Sequence, residues 1–166
     1  MFAPLARIKV CFMQLTDFLD LESIRIGVSA KTKRALLQQL GTIAAQRLGL
    51  PADAVQHCLA AREKIGTTGF GNGVAIPHGK VEGIASVFLM VARLAEPIDY
   101  KAIDDQPVDL VFVLLSSPDA GAAHLKALAA VSRIVRHPAM LAKLRGARSR
   151  DAFAAVLIGI DERDAA

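Results

Sequence analysis

Val108-Asp109-Leu110-Val111-Phe112-Val113-Leu114-Leu115-Ser116 carries apolar side chains at every position except Asp109 and Ser116. A strand with one wet face alternates polar and apolar residues, because successive side chains point to opposite sides of the sheet. A run that is apolar on both parities therefore predicts a central strand covered on both faces. Outward from it lie residues 85–94 (ASVFLMVARL) and 73–77 (GVAIP), short apolar runs bounded by Gly, Pro and Asp. Both are expected to be strands.

Helical periodicity flanks this middle. A short strand is expected at residues 23–28, with Ser29 as N-cap of a helix whose apolar positions are Leu36, Leu37, Leu40, Ile43 and Ala44, ended by Leu48 and Gly49. Pro51 suits the first turn of a second helix running to about Lys64 and closed by Gly66. Beyond the central strand, helices are expected over 122–136 and 138–145, and from the N-cap candidate Ser149 to Ile160. Helix, helix, strands and three more helices predict an α/β or α+β layered domain, with α/β the expected class: a single-domain layered sandwich with a small mixed β-sheet flanked by helices on both sides.

Composition fits one such domain. The chain has 166 residues, 53% of them hydrophobic, enough for one core. No apolar stretch reaches the roughly 18 residues of a membrane span, so a soluble protein without membrane insertion is expected. Residues 1–12 (MFAPLARIKVCF) run into Asp17, Asp20 and Glu22 without a small-residue cleavage site, which argues against a secretory signal. They read either as part of the domain or as a poorly ordered extension, leaving a domain at 13–161 and a tail at 162–166.

The two cysteines, Cys11 and Cys58, form no CxxC pair, and Cys58 reads as a small buried hydrophobe. Net charge is +4, with Arg133, Arg136, Lys143, Arg145, Arg148 and Arg150 gathered near the C-terminus. That cluster lacks interleaved aromatics and any nucleic-acid reading motif, so a solvated helical face is expected instead.

The chemistry is concentrated between the second helix and the first strong strand. Gly66-Thr67-Thr68-Gly69-Phe70-Gly71-Asn72-Gly73 holds four glycines in eight positions, a backbone suited to tight turns and close approach. Such a loop can offer N–H groups to phosphate, with hydroxyls from Thr67 and Thr68 as further donors. It is neither a P-loop nor a dinucleotide fingerprint, and a plain surface turn is an equal reading. Ile76-Pro77-His78-Gly79 then sets a histidine between a residue that fixes its backbone and one that permits close approach. A neutral imidazole offers a lone pair to a phosphoryl group while its other nitrogen is oriented by a hydrogen bond. From this segment alone, a structural histidine satisfying loop carbonyls is equally good.

Two residues sharpen the choice. On a helical wheel Arg62 falls within the apolar arc of Val55, Cys58 and Leu59, where a guanidinium needs a partner and matches phosphate oxygens. Snorkelling or C-terminal capping is the bland alternative. His124 falls with Leu128, Val131 and Val135 in the first turn of its helix, where N–H groups and positive partial charge favour phosphate. Taken alone it reads more readily as a core histidine. His57 lies on a polar helix face and His137 precedes Pro138 as punctuation. No HxxxH or HExxH spacing supports a metal, and no GxSxG supports a serine hydrolase.

The segments LAAREKIGTTGFGNGVAIPHGK, AIDDQPVDLVFVLLSS and HLKALAAVSRIV resemble the enzyme IIA domain of the fructose/mannitol type from the bacterial phosphotransferase system, with the stand-alone nitrogen-regulatory enzymes IIA nearest in likeness. The resemblance runs from about Met13 to Ile160. It implies a mixed sheet sandwiched by helices and a cytoplasmic phosphotransferase working between proteins. His78 would accept a phosphoryl group from an HPr-type phosphocarrier, with Arg62 and His124 stabilising it and Thr67, Thr68 and Gly69 binding it. Family members often carry Ser-Thr where this chain has Thr67-Thr68, which keeps the hydroxyl. No metal, nucleotide or other cofactor is implied.

The resemblance further implies regulation of nitrogen and potassium metabolism, the phosphorylation state setting binding to targets such as potassium transport or sensor proteins. A sugar-specific enzyme IIA that passes phosphoryl to an enzyme IIB is the alternative, disfavoured because no IIB or membrane IIC segment is fused. A degenerate binding module that is never phosphorylated is a third. An apolar rim around His78, including Phe70, is expected to dock the carrier. No nucleic-acid partner is expected, and a dimer is left open.

Overall fold

The central strand is where the sequence places it, and the sheet is built outward from its two edges. The computed structural model describes residues 13–164, so the expectations for residues 1–12, Cys11 among them, and for the end of the 162–166 tail lie outside the described residues. In chain order the elements are β1 (Arg25–Val28), α1 (Lys33–Leu48), α2 (Ala52–Ile65), β2 (Gly69–Gly71), β3 (Val74–Ala75), β4 (His78–Lys80), β5 (Phe88–Ile98), β6 (Val108–Ser116), α3 (Ala122–Val135), α4 (Pro138–Gly146) and α5 (Arg150–Asp164). Short 3-10 turns at Leu15–Asp17, Leu21–Ser23 and Pro118–Ala120 join them.

The sheet is mixed, in the order β1-β5-β6-β3-β2, with β4 also on β6. Strands β5 and β6 are antiparallel, with Val91 opposite Phe112. Both β3 and β4 run parallel to β6 along one edge: Val74 and Ala75 face Leu110 and Val111, and His78 to Lys80 face Leu114 to Ser116. The break between them falls at Ile76 and Pro77. Proline has no N–H for the ladder, but its carbonyl still accepts from the Leu114 N–H at 2.9 Å.

The parity of β6 divides the core in two. Leu110, Phe112 and Leu114 pack with Ala127, Val131, Leu141 and Phe153 from α3, α4 and α5. Val111, Val113 and Leu115 pack on the other face with Leu36, Leu40, Val55 and Leu59 from α1 and α2. All six of those strand side chains have 0% exposure, which is why the run lacks alternation.

Three local expectations change. The N-cap of α1 is Thr32, whose hydroxyl accepts from the Ala35 N–H at 3.1 Å, and Ser29 stays outside the helix. Pro51 is the N-cap of α2, one position before the first turn. Strands β2 and β4 emerge from a segment that read as loop, because glycine obscures strand periodicity. The cap at Ser149 is as expected, accepting from the Ala152 N–H at 3.0 Å. The basic cluster is not uniformly a solvated face. Arg145 pairs with Asp109 and donates to the Asn72 carbonyl, Arg150 donates to the Leu21 carbonyl, and the Arg136 guanidinium lies 5.8 Å from the Phe70 ring centre.

Candidate functional site

His78 is the first residue of β4, so its backbone is held on the edge of the central strand. Gly79 follows because α2 passes directly over it: a β-carbon there would run into the Cys58 sulfur. Cys58 is half-buried and its Sγ lies 3.3 Å from the Lys80 carbonyl, while burial pushes the thiol pKa up. The side chain is small, as expected, but only partly buried, and with Gly79 opposite it β4 docks closely on α2.

The His78 ring is oriented at both nitrogens. Nδ1 lies 2.8 Å from the Ile76 carbonyl oxygen. A carbonyl can only accept, so Nδ1 carries the proton and Nε2 keeps its lone pair. The Arg62 Nε–H donates to that Nε2 at 3.2 Å, and Arg62 Nη1 donates to the Gly66 carbonyl at 3.0 Å. Burial holds the imidazole below the usual histidine range; the Ile76 hydrogen bond raises it, the Arg62 charge lowers it again and the Glu63 charge raises it. At neutral pH the ring is uncharged, with its lone pair facing a guanidinium.

His124 completes the pair. It is 6% exposed in the first turn of α3, and its ring centre is 5.9 Å from that of His78 at an interplanar angle of 49°. Its Nδ1 lies 2.5 Å from the hydroxyl of buried Ser116, the last residue of β6. Burial lowers its pKa most, and the neighbouring His78 and Lys80 lower it further. Two neutral imidazoles and one guanidinium, brought from three elements, therefore meet at the C-terminal end of the central strand.

The glycine-rich segment is arranged differently from a free N–H cradle. Thr68 is buried, and its N–H and hydroxyl both donate to the Glu63 carboxylate, the hydroxyl at 2.5 Å. The Gly69 N–H donates to the Thr67 hydroxyl at 3.1 Å. The Thr68 and Gly69 N–H groups are thus engaged within the fold. Gly69 also lies against the chain, since a β-carbon there would stand 2.6 Å from the Ala102 Cα. Phe70 packs on the core beneath Arg136, whereas the exposed apolar side chains next to the site's own residues are Ile65 and Leu125, at 83% and 68% exposure.

Sequence reasoning did not single out Ser116, Glu63 or Tyr100. Ser116 ended an apolar run and looked like punctuation. Glu63 adjoins Arg62, and its i+5 separation from Thr68 crosses a helix end, where no periodic signal connects residues. His57 and His137 are not among the groups brought to His78. Among the described residues no cluster of three or more His, Cys, Asp or Glu is arranged to hold a metal, and no helix is long and apolar enough to cross a membrane.

The family model for "Phosphoenolpyruvate-dependent sugar phosphotransferase system, EIIA 2" matches residues 17–159, and the chain belongs to that family. Within it, the relatives include a nitrogen regulatory protein of Bradyrhizobium diazoefficiens, 45% identical over 145 residues that cover 87% of this chain and 95% of the relative. One from Escherichia coli is 40% identical over 139 residues, covering 82% and 85%. The crystal structure of the nitrogen regulatory protein IIA-Ntr from Neisseria meningitidis superposes with a TM-score of 0.80 at 32% identity, covering 85% of this chain and 97% of that one.

Proposed function

We propose that His78 accepts a phosphoryl group from the phosphohistidine of an HPr-type phosphocarrier, and that the phosphorylation state of His78 governs binding to regulatory targets in nitrogen and potassium metabolism, such as potassium transport or sensor proteins. The observation that carries the first half is the ring orientation: Nδ1 donates to the Ile76 carbonyl while Nε2 presents a lone pair to the Arg62 guanidinium. The likeness to nitrogen regulatory proteins supports the second.

In the transfer, the Nε2 lone pair attacks phosphorus as the donor's N–P bond breaks, and that bonding pair returns to the donor imidazole. The proton stays on Nδ1, donated to the Ile76 carbonyl oxygen, throughout. Histidine-to-histidine transfer needs in-line approach and charge stabilisation more than proton transfer. Arg62 supplies that charge: its Nε–H exchanges the ring nitrogen for a phosphoryl oxygen, while Nη1 stays on Gly66. His124, held by Ser116 near the N-terminal turn of α3, stands beside the ring to donate to the incoming group. Leu125 and Ile65 flank these residues and form the apolar rim on which the carrier docks. Thr67 retains an accessible role in binding phosphoryl, and Thr68 and Gly69 shape the loop that holds it.

Incubation with phosphorylated carrier, followed by intact mass and pull-down with each form, tests the reading. A phosphate-sized mass gain and state-dependent capture of a regulatory target are expected. Efficient onward delivery to an enzyme IIB, without such capture, would overturn the regulatory half.

A further inference from the structure

Adjacent residues of α2 grip the glycine-rich loop from two sides. Arg62 Nη1 holds the Gly66 carbonyl, and Glu63 takes both the N–H and the hydroxyl of Thr68. The Glu63 side chain is 8% exposed, and its remaining partners are the Lys33 Nζ at 2.9 Å and the Tyr100 hydroxyl at 3.3 Å. Tyr100 is itself fully buried, 2.9 Å from the Thr68 hydroxyl, with the Lys33 ammonium 4.8 Å from its ring centre. A carboxylate with four donors, drawn from α1, the loop and the β5–β6 connection, is a rigid brace. Such a charge is costly to bury and is kept ionised by its bonds.

We infer that Glu63 is a positioning residue for phosphoryl transfer: it locks the Gly66–Gly69 loop to the end of α2 and so fixes where Arg62 presents its guanidinium to His78. This rests on His78 being the acceptor. Three features favour a role in the reaction over one in folding alone. Glu63 neighbours Arg62 on the final turn of the same helix, so a shift of that turn moves both side chains. The Gly66 carbonyl that anchors Arg62 is two residues from the Thr68 that Glu63 holds. Glu63 is also an anion acting on the His78 ring, whose other charged and titratable neighbours among the described residues include Arg62 from α2 and His124 from α3, with Lys80 from β4 acting in turn on His124.

The experiment pairs Glu63→Gln, which keeps the shape and removes the charge, with Glu63→Asp, which keeps the charge and withdraws the reach. His78 is followed by imidazole 15N shifts against pH in the unphosphorylated protein, and phosphorylation by carrier is followed in parallel. In Glu63→Asp, which keeps the anion but lets Arg62 drift from the ring, the His78 midpoint moves to higher pH, because the guanidinium had disfavoured the cation. Turnover falls on the order of tenfold in both variants while KM for the carrier stays within about twofold, as expected of lost orientation. An unmoved midpoint in Glu63→Asp, or wild-type turnover in either variant, overturns the assignment. Where Glu63→Gln does not fold, Glu63→Asp decides through turnover. The titration needs no carrier, so it stands apart from whether wild-type His78 labels at all.

Discussion

Replacing Arg62 removes two hydrogen bonds at once, the one to His78 Nε2 and the one to the Gly66 carbonyl, together with a positive charge beside the acceptor nitrogen. The cost in the reaction follows from the charge that develops there. A preorganised donor at such a site is worth about 3–4 kcal/mol, so Arg62→Ala should slow labelling by roughly 10²–10³-fold. The ground state changes as well, in a direction the structure gives. Arg62 helps hold the His78 pKa down, so in its absence the ring protonates at higher pH and more of it is cationic and unreactive near neutrality. The acid limb of the rate profile should therefore shift toward higher pH in Arg62→Ala. Arg62→Lys restores the charge without the fork that spans Nε2 and Gly66, and is expected to recover the pH limb but only part of the rate. Stability should change by about 1 kcal/mol or less, since the side chain is only partly buried at the end of its helix. The assay is intact-mass time courses with phosphorylated carrier from acid to neutral pH. Wild-type rates in Arg62→Ala, or an acid limb that moves downward, would refute the placement of the guanidinium at the acceptor.

Four further outcomes follow from the geometry. His124→Ala should still label, more slowly, and Ser116→Ala should do the same to a smaller extent because it only orients that ring; the same mass time courses measure both. His78 and His124 each hold a proton less tightly when folded than when unfolded, so the stability they contribute is present above the ordinary histidine pKa and lost as pH falls through their lower folded values. Denaturation midpoints should thus drop as pH falls below the ordinary histidine pKa, and drop less in His124→Asn. Gly69→Ala would drive a methyl into the Ala102 backbone, and overpacking of this kind costs about 1–3 kcal/mol, readable as a lowered Tm. Leu125→Asp, on an exposed side chain, should raise KM for the carrier while leaving Tm unchanged.

How much of this was legible in the sequence depends on whether the residues concerned answer to one element's periodicity. The central strand was legible because Leu110 to Leu115 are apolar on both parities, and each parity meets its own helical layer. Arg62 and His124 stood out because each is polar on an apolar helical arc, and both are drawn to His78. The brace around Glu63 was not legible. Its partners Lys33, Thr68 and Tyr100 come from separate elements, and nothing in their spacing announces a meeting. The glycine loop invited a reading as a phosphate cradle, yet the Thr68 and Gly69 N–H groups are engaged inside the fold. A glycine-rich pattern reports conformational permission but not where the N–H groups point. Strand β4 was hidden for a related reason: His78-Gly79-Lys80 has no strand propensity and is a strand because Leu114 to Ser116 pair with it. The cap of α1 fell at Thr32 instead of Ser29, a choice between two hydroxyls that local sequence does not decide.

The most direct test is to expose the protein and its His78→Ala variant to phosphorylated carrier, and to read the product by intact mass and by 31P NMR of the N–P linkage. The account predicts one phosphoryl group on the wild type, attached through Nε2 of His78, and none on the variant. No mass gain on the wild type, a linkage through Nδ1, or labelling of His78→Ala at the wild-type rate would contradict it.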